Sequence, residues 1–463
     1  MRRNIILIAV ILNISMLIGC SPISKVNKSN ENANEVRISV GTWPKETDKV
    51  ATSIFEGYVK EMKTKYPNII IEPDYWHYDV NSFLPKAASG QLPTIYETWF
   101  TEAGKIIDAG YAKDITNTIT KYGYQDKINQ NYMKLVTKDS KYYGLPNTGY
   151  VMGLACNVKL FKEAGLVDSD GFPIYPQTYE ELAITAQKIK QKTGKAGYYI
   201  ATTNNQGGWN FMNIAWSFGA EVIEKQNGKW VSTFNSPECI AALQYVKDLK
   251  WKYDAIQDDI LGDVNTYTKM FSTNQAAMGM FTPGNFGATV TDYKADINNA
   301  SLARLPAGPK NRTNLMGGTL KMFNNDATDE QIDAAFKWLE VTGFSPEVTD
   351  DMKAKWEEQC SANKQKGLIV GCEDISIWTD PKVDLAKAEI VNKYANVNLK
   401  LFNDYMGLKD TVIRPEIAVN AQELYKVFDS LIQEVLTNKN ADVSKILSKA
   451  GTDFQLNYLD KVN

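Results

Sequence analysis

The alternation of apolar and polar positions opens the chain as strand, helix, strand. In "VRISVGTWP", Val36, Ile38 and Val40 alternate with polar neighbours, and Gly41 and Pro44 end the run, which predicts a strand. "TDKVATSIFEGYVKEMKTKYP" instead spaces Ile54, Phe55, Tyr58, Val59 and Met62 along one face of a helix that closes at Pro67. "NIIIEPDYW" predicts a second strand and "LPTIYETWF" a third. Strands alternating with helices predict βαβ units and a parallel sheet. Further on, "TYEELAITAQKIKQKTG" reads as a helix with Thr178 as N-cap, Glu181 at the capping-box position and Gly194 past its end. Near the carboxyl end, "PEIAVNAQELYKVFDSLIQEVL" and "ADVSKILSKAGTDFQLNYL" read as long amphipathic helices. No repeat of solenoid period is present.

The amino terminus follows a different pattern. Arg2 and Arg3 precede residues 5–18, apolar apart from Asn13 and Ser15, which is the layout of a secretory signal peptide. The run is too short to span a bilayer, which takes about 20 apolar residues. It ends in "LIGC", which resembles the lipobox of bacterial lipoproteins, although Ile18 is bulkier than the small residue often found there. The resemblance implies that residues 1–19 are a signal peptide, removed before a lipid-bearing Cys20; stable anchoring takes more than one acyl chain. Residues 20–35 are rich in Ser, Asn, Lys and Glu without periodicity and read as a flexible tether, with an r.m.s. span of roughly 20 Å for about 15 residues.

At 463 residues the chain suits two lobes with cores of their own. Its 51 Lys and Arg against 54 Asp and Glu, or 49 against 54 without Arg2 and Arg3, argue against nucleic acid as partner. Ten Trp and 24 Tyr supply stacking surface, whereas Arg37, Arg304, Arg312 and Arg414 are the only arginines beyond the leader, so anion clamps are scarce. A single histidine, His77, and no CxxC spacing exclude an ordinary zinc site or a Cys-His nucleophile, so neither metal nor cofactor is expected. Cys360 and Cys372 close a short loop, "CSANKQKGLIVGC", that a disulfide could bridge in an oxidising compartment.

Ordered blocks carry a resemblance to the extracellular solute-binding lipoproteins of ABC importers, in particular the carbohydrate-binding branch related to maltose-binding proteins. They are "GQLPTIYETWFTEAGKIIDAGYAKDIT", "YYGLPNTGYVMGLACNVKLFKEAGL", "QAAMGMFTPGNF" and "LPAGPKNRTNLMGGTLKMFNNDATDEQIDAAFKWLEVTGFSPE". Cys156 stands where that family often has Tyr, and Phe286 where it has Trp. The resemblance covers residues 36 to about 450. It implies a type II two-lobe α/β fold with the ligand in the cleft between lobes, closure by hinge motion, and delivery to a membrane permease. Block matching places the crossings near Leu145 and Pro146 and near Gly317 and Gly318, giving one lobe of residues 36–145 plus 319–375 and another of 146–317 plus 376–463. It also implies a monomer at the extracellular face of a bacterial cytoplasmic membrane.

Sugars present flat apolar ring faces flanked by hydroxyls, so their sites combine aromatic platforms with carboxylates and amides. In open α/β sheets ligands sit beyond the carboxyl ends of strands. Candidates are therefore Thr42 and Trp43; Asp74, Trp76 and His77; Glu97, Thr98 and Trp99; Tyr150; Asn205, Trp209 and Asn213; and Thr282, Asn285 and Phe286. Trp43, Trp76, Trp99 and Trp209 each have a packing alternative. Trp216 reads as core, Trp230, Trp251, Trp338 and Trp356 as packing, and His77 as surface or rim. Three rivals stand beside sugar uptake: a glycoside hydrolase using two carboxylates, a binding protein for a polyamine or peptide, and an adhesin on the same scaffold.

Overall fold

The computed structural model describes residues 35–417 and 419–462. The signal peptide, Cys20 and all but the last residue of the tether lie outside the described residues.

The chain starts in one sheet, builds a second and returns. Strands β1 (Val36–Val40), β2 (Ile69–Pro73), β3 (Ile95–Trp99) and β4 (Gly144–Val151) belong to the first sheet. With only Met152 between, β4 runs into β5 (Gly153–Asn157), which joins β6 (Ala196–Tyr198), β7 (Ala276–Phe281) and β8 (Ala300–Arg304) in the second. The chain re-enters the first sheet through β9 (Thr313–Phe323) and again through β10 (Val412–Pro415). β1 lies parallel to β2 and β3, as the alternating pattern predicts. The sheets are nevertheless mixed, because β9 runs antiparallel to both β3 and β4, and β5 antiparallel to β7 and β8.

Helices cover these sheets. α1 (Lys49–Lys65) is capped by the Asp48 side chain, and α2 (Ala103–Asp108) follows β3. The second sheet carries α3 (Tyr179–Thr193), α4 (Gln206–Phe218) and α5 (Pro237–Trp251). α6 (Asp329–Val341), α7 (Asp350–Gln365) and α8 (Pro381–Tyr394) follow β9. α9 (Ala421–Thr437) and α10 (Val443–Asn457) end the chain. The result is a two-lobe α/β fold. Pleating sends alternate residues of β5 into different cores: Leu154 and Cys156 pack with α3, α4, α5 and α9, and Ala155 with the core continuous with the first sheet.

Local signals account for most boundaries. The Thr178 hydroxyl accepts the Glu181 amide at 3.1 Å, and Gly194 adopts φ 66° at the end of α3. The Glu181 carboxylate, however, caps the Gln177 amide at 2.7 Å instead of the Thr178 amide. The helix expected from Pro415 onward begins only at Ala421, because Pro415 is drawn into β10 beside Met316 and Asn420 is left-handed at φ 47°. Cys156, Cys239, Cys360 and Cys372 are free and buried, so the structure holds no bridge between Cys360 and Cys372. Among the described residues no helix is long and apolar enough to cross a membrane.

One contact ties α9 to α4. The Asp429 carboxylate accepts the Asn205 amide at 2.7 Å and the Gly208 amide at 2.8 Å, satisfying donors that the first turn of α4 cannot pair internally. Gly208 sits so close that a Cβ would stand 2.2 Å from the Tyr425 carbonyl oxygen. Asp429→Ala is expected to cost about 1.5–3 kcal/mol, the range for buried hydrogen bonds to a charged group, measured by urea unfolding. Alkylation of the unfolded, unreduced chain should label all four cysteines named above, and protection of Cys360 and Cys372 would contradict the free-thiol state.

Candidate ligand-binding cleft

The floor of the cleft is set by register. β9 places Lys321 opposite Glu97 and Thr319 opposite Trp99, and directly opposed residues of an antiparallel pair share a face. Lys321 pairs with the Glu97 carboxylate, while Asn147 of β4 donates to Glu97 at 3.2 Å and to Thr319 at 3.0 Å. Two residues before Thr319 on the same face is Gly317, where a Cβ would lie 2.6 Å from the Tyr150 ring. At Gly318, on the opposite face, a Cβ would lie 2.1 Å from the Thr148 carbonyl oxygen and 2.4 Å from the Phe100 ring. Successive glycines thus allow close approach on both faces of the crossing pair.

From Trp99 a series of contacts leads across to α4, α9 and the segment after β10. The Trp99 ring, 39% exposed, meets Tyr78 edge-on at 5.2 Å, and the Tyr78 hydroxyl donates to Glu102 Oε2 at 3.2 Å. Glu102 is 4% exposed, and its Oε1 has no hydrogen-bond partner. Its charge is felt by Glu416, which follows β10, accepts the Tyr425 hydroxyl at 3.3 Å and is held by the Trp209 side chain. Trp209 in turn meets Tyr150 edge-on at 6.3 Å. Nearby, Asn205 donates to Gln422 at 3.1 Å, Gln422 donates to Thr101 at 3.3 Å, and Lys105 pairs with Glu423 at 3.3 Å. Enclosure by protein, with the Glu102 charge adding to it, pushes the Glu416 carboxyl up to about 8, against the opposing pull of Tyr425 and Trp209.

Two cavities adjoin this floor and share Asn147, Gly343 and Phe344. One, of 610 Å³, lies under α1 and α6, with Thr42, Phe55, Tyr58, Glu97, Lys321 and Trp338 in its walls. The other, of 720 Å³, lies between Pro283, Gly284 and Gly287 on one side and Trp356, Asp374 and Trp378 on the other. Its wall is fixed by the Ile375 amide, which donates to the Gly149 carbonyl at 2.8 Å along the free edge of β4. Asp374 is exposed at the mouth of this cavity, and partial desolvation, then Glu373, pushes its carboxyl up to about 6. Lys387 is occupied by Glu373 at 2.6 Å.

The expected site residues divide by environment. Glu97, Trp99, Tyr150, Asn205 and Trp209 stand along the floor and the contacts just described. Trp43 does not: at 6% exposure it stacks on Trp338 and meets Phe55, so its ring is core. Phe286 is fully enclosed by Phe271, Phe281 and Phe402, leaving Pro283, Gly284 and Gly287 to face the cavity in its place. Asp74 holds its own loop, accepting the Trp76 amide at 2.8 Å and pairing with Lys86 at 3.6 Å, and Lys86 also lies over the Trp76 ring. Asn285 accepts the amide and hydroxyl of Thr282, and Asn213 is buried against the Leu315 amide. His77 is exposed.

Sequence reasoning did not single out Tyr78, Glu102, Glu416, Asp374 and Trp378; Trp338 and Trp356, read as packing, do pack against core clusters and also line cavities. Glu102 was within reach, three residues after Trp99 in a quoted block. Glu416 was hidden inside an apparent helix.

A family model for bacterial extracellular solute-binding proteins matches residues 47–341. In fold the chain is similar to an ABC transporter solute-binding protein from Thermotoga lettingae bound with α-D-tagatose, at 19% identity and TM-score 0.68, covering 91% of this chain and 98% of that one. The GacH receptor of Streptomyces glaucescens, solved unliganded and with acarbose, is similar at 18% identity and TM-score 0.68, covering 91% and 97%. A cyclic α-maltosyl-1,6-maltose binding protein from Arthrobacter globiformis is similar at 22% identity and TM-score 0.65, covering 90% and 97%. The chain therefore belongs to the bacterial extracellular solute-binding protein family.

Proposed function

We propose that the protein captures a carbohydrate, an oligosaccharide in particular, and hands it to the permease of an ABC importer. The observation that carries this reading is the series of contacts that links Trp99, Tyr78 and Glu102 on one side with Glu416, Trp209 and Tyr150 on the other, next to Glu97 and Asn147, which line the cavities. Aromatic faces suit sugar rings, and carboxylates and amides suit hydroxyls. Similarity to proteins solved with tagatose and with acarbose, and to one named for binding cyclic α-maltosyl-1,6-maltose, supports the same class. The protein returns its ligand unchanged.

In this reading residues 36–145 plus 319–375 form one lobe and 146–317 plus 376–463 the other. The Gln422 to Thr101 bond and the Lys105 to Glu423 pair are then contacts between lobes. A ligand touching both lobes shifts the equilibrium toward the closed form that the permease recognises. The chain works as a monomer, exported by residues 1–19 and anchored by lipid on Cys20 at the extracellular face of the cytoplasmic membrane.

A saccharide at 100 times its dissociation constant should stabilise the fold by about 2.7 kcal/mol, read as a thermal shift. Polyamines and peptides should give none, and chromatography should recover the saccharide intact. Trp209→Ala should weaken binding about ten- to hundredfold, or about 1.4–2.7 kcal/mol, with little change in melting temperature. The raised Glu416 carboxyl also burdens the unliganded fold. Glu416 is raised from 4.5 to about 8, so between those values the folded chain holds a proton that the unfolded chain has released, and stability falls as pH rises. Asp374, raised from 3.8 to about 6, acts in the same direction over the lower part of that window. Glu416→Gln should therefore gain stability over the parent progressively from pH 5 to pH 8, measured by unfolding at each pH.

A further inference from the structure

Around Glu102 and Glu416 no cation offsets the acids. The Glu102 charge bears on Glu416, and the only side chains that donate to either among the described residues are Tyr78, Tyr425 and Trp209, none of them cationic. The neighbouring cations are engaged elsewhere. Lys105 pairs with Glu423, and Arg414 grips Glu221 through both terminal nitrogens at 2.6 and 2.7 Å with its guanidinium over the Trp216 ring. Glu102 Oε1 is buried without a partner, a condition that costs free energy unless something supplies a donor.

The Gln422 to Thr101 bond and the Lys105 to Glu423 pair bring the Glu102 segment against α9, whose Tyr425 holds Glu416. Two acids on adjoining segments, one with an orphaned oxygen, near the Trp209 and Tyr150 pair, make an environment that suits an ammonium group. Carboxylates neutralise its charge, and aromatic faces attract it most strongly where water is excluded. The amides of Asn147, Asn205 and Gln422 along the same cleft suit hydroxyls, which an unadorned polyamine lacks.

We propose that the saccharide carries a protonated amine, an amino-sugar unit with its nitrogen seated between Glu102 and Glu416 beside Trp209 and Tyr150. This rests on the carbohydrate reading and narrows it. The raised Glu416 carboxyl agrees with a site that holds a proton until a cation replaces it.

The test is calorimetric titration at pH 6.5 and low salt with matched saccharides in three forms: free amine, N-acetylated and hydroxyl. The panel covers glucosamine, galactosamine and mannosamine and their oligomers, with spermidine beside them. The amine form is expected to bind at least tenfold tighter than its two counterparts. That advantage should shrink in 0.5 M salt and vanish in Glu102→Gln and Glu416→Gln, whose folding is checked by circular dichroism. If a variant does not fold, the comparison of the three forms and its salt dependence on the parent protein still decide. An acetylated or hydroxyl form binding as tightly as its amine overturns this proposal and leaves the carbohydrate reading in place. Absence of binding by every saccharide, with or without binding of spermidine, overturns both.

Discussion

The structure depends on how closely β4 and β9 can approach while passing between the two sheets. Gly317 and Gly318 occupy successive positions, so one missing side chain is on each face. Tyr150 takes the space on one face, and Phe100 takes it on the other. Gly149, paired with Gly318, makes room in the same way for Tyr132, whose hydroxyl oxygen would be 2.5 Å from a Cβ. Packing of this density leaves little freedom to slide, so Tyr150 is delivered to the cleft by the same contacts that hold the sheets together.

Much of this was legible locally. Strand and helix signals at Val36, Thr178 and Gly194 depend on a few neighbouring residues, and the structure realises them at the expected positions. The candidates Glu97, Trp99, Tyr150 and Trp209 were singled out as following strands or crossings; the structure places Glu97 and Trp99 in the last residues of β3, Tyr150 near the end of β4 and Trp209 in the first turn of α4. Trp43 and Phe286 illustrate the limit. Whether an aromatic after a strand faces a ligand or a neighbouring element depends on partners more than a hundred residues away, such as Trp338 for Trp43 and Phe402 for Phe286. Periodicity also overran at Pro415, where pairing with Met316 outweighs the helical pattern that follows. Glu416 owes its significance to Glu102, Tyr425 and Trp209, three contacts that no local pattern encodes.

In the proposed division into lobes, the contacts that join them differ in strength in a way that suits hinge motion. At the crossing strands the contacts are continuous and mostly buried, combining close packing with the hydrogen bonds of Asn147, Thr148 and Thr319, and separating them would open voids in a core. By contrast, the Lys105 to Glu423 pair is 44% and 33% exposed, and pairs of this kind contribute about 0–1 kcal/mol. The Gln422 to Thr101 bond is neutral and adds about 0.5–1.5 kcal/mol. Opening the cleft therefore costs little at its rim while the crossing strands stay intact. A ligand needs to supply only a modest difference in affinity between open and closed forms to decide which one is populated. The acids enclosed beside that rim work with this balance: with no ligand they favour water entry and opening, and a ligand that satisfies them converts the same groups into contacts that exist only when the lobes are together.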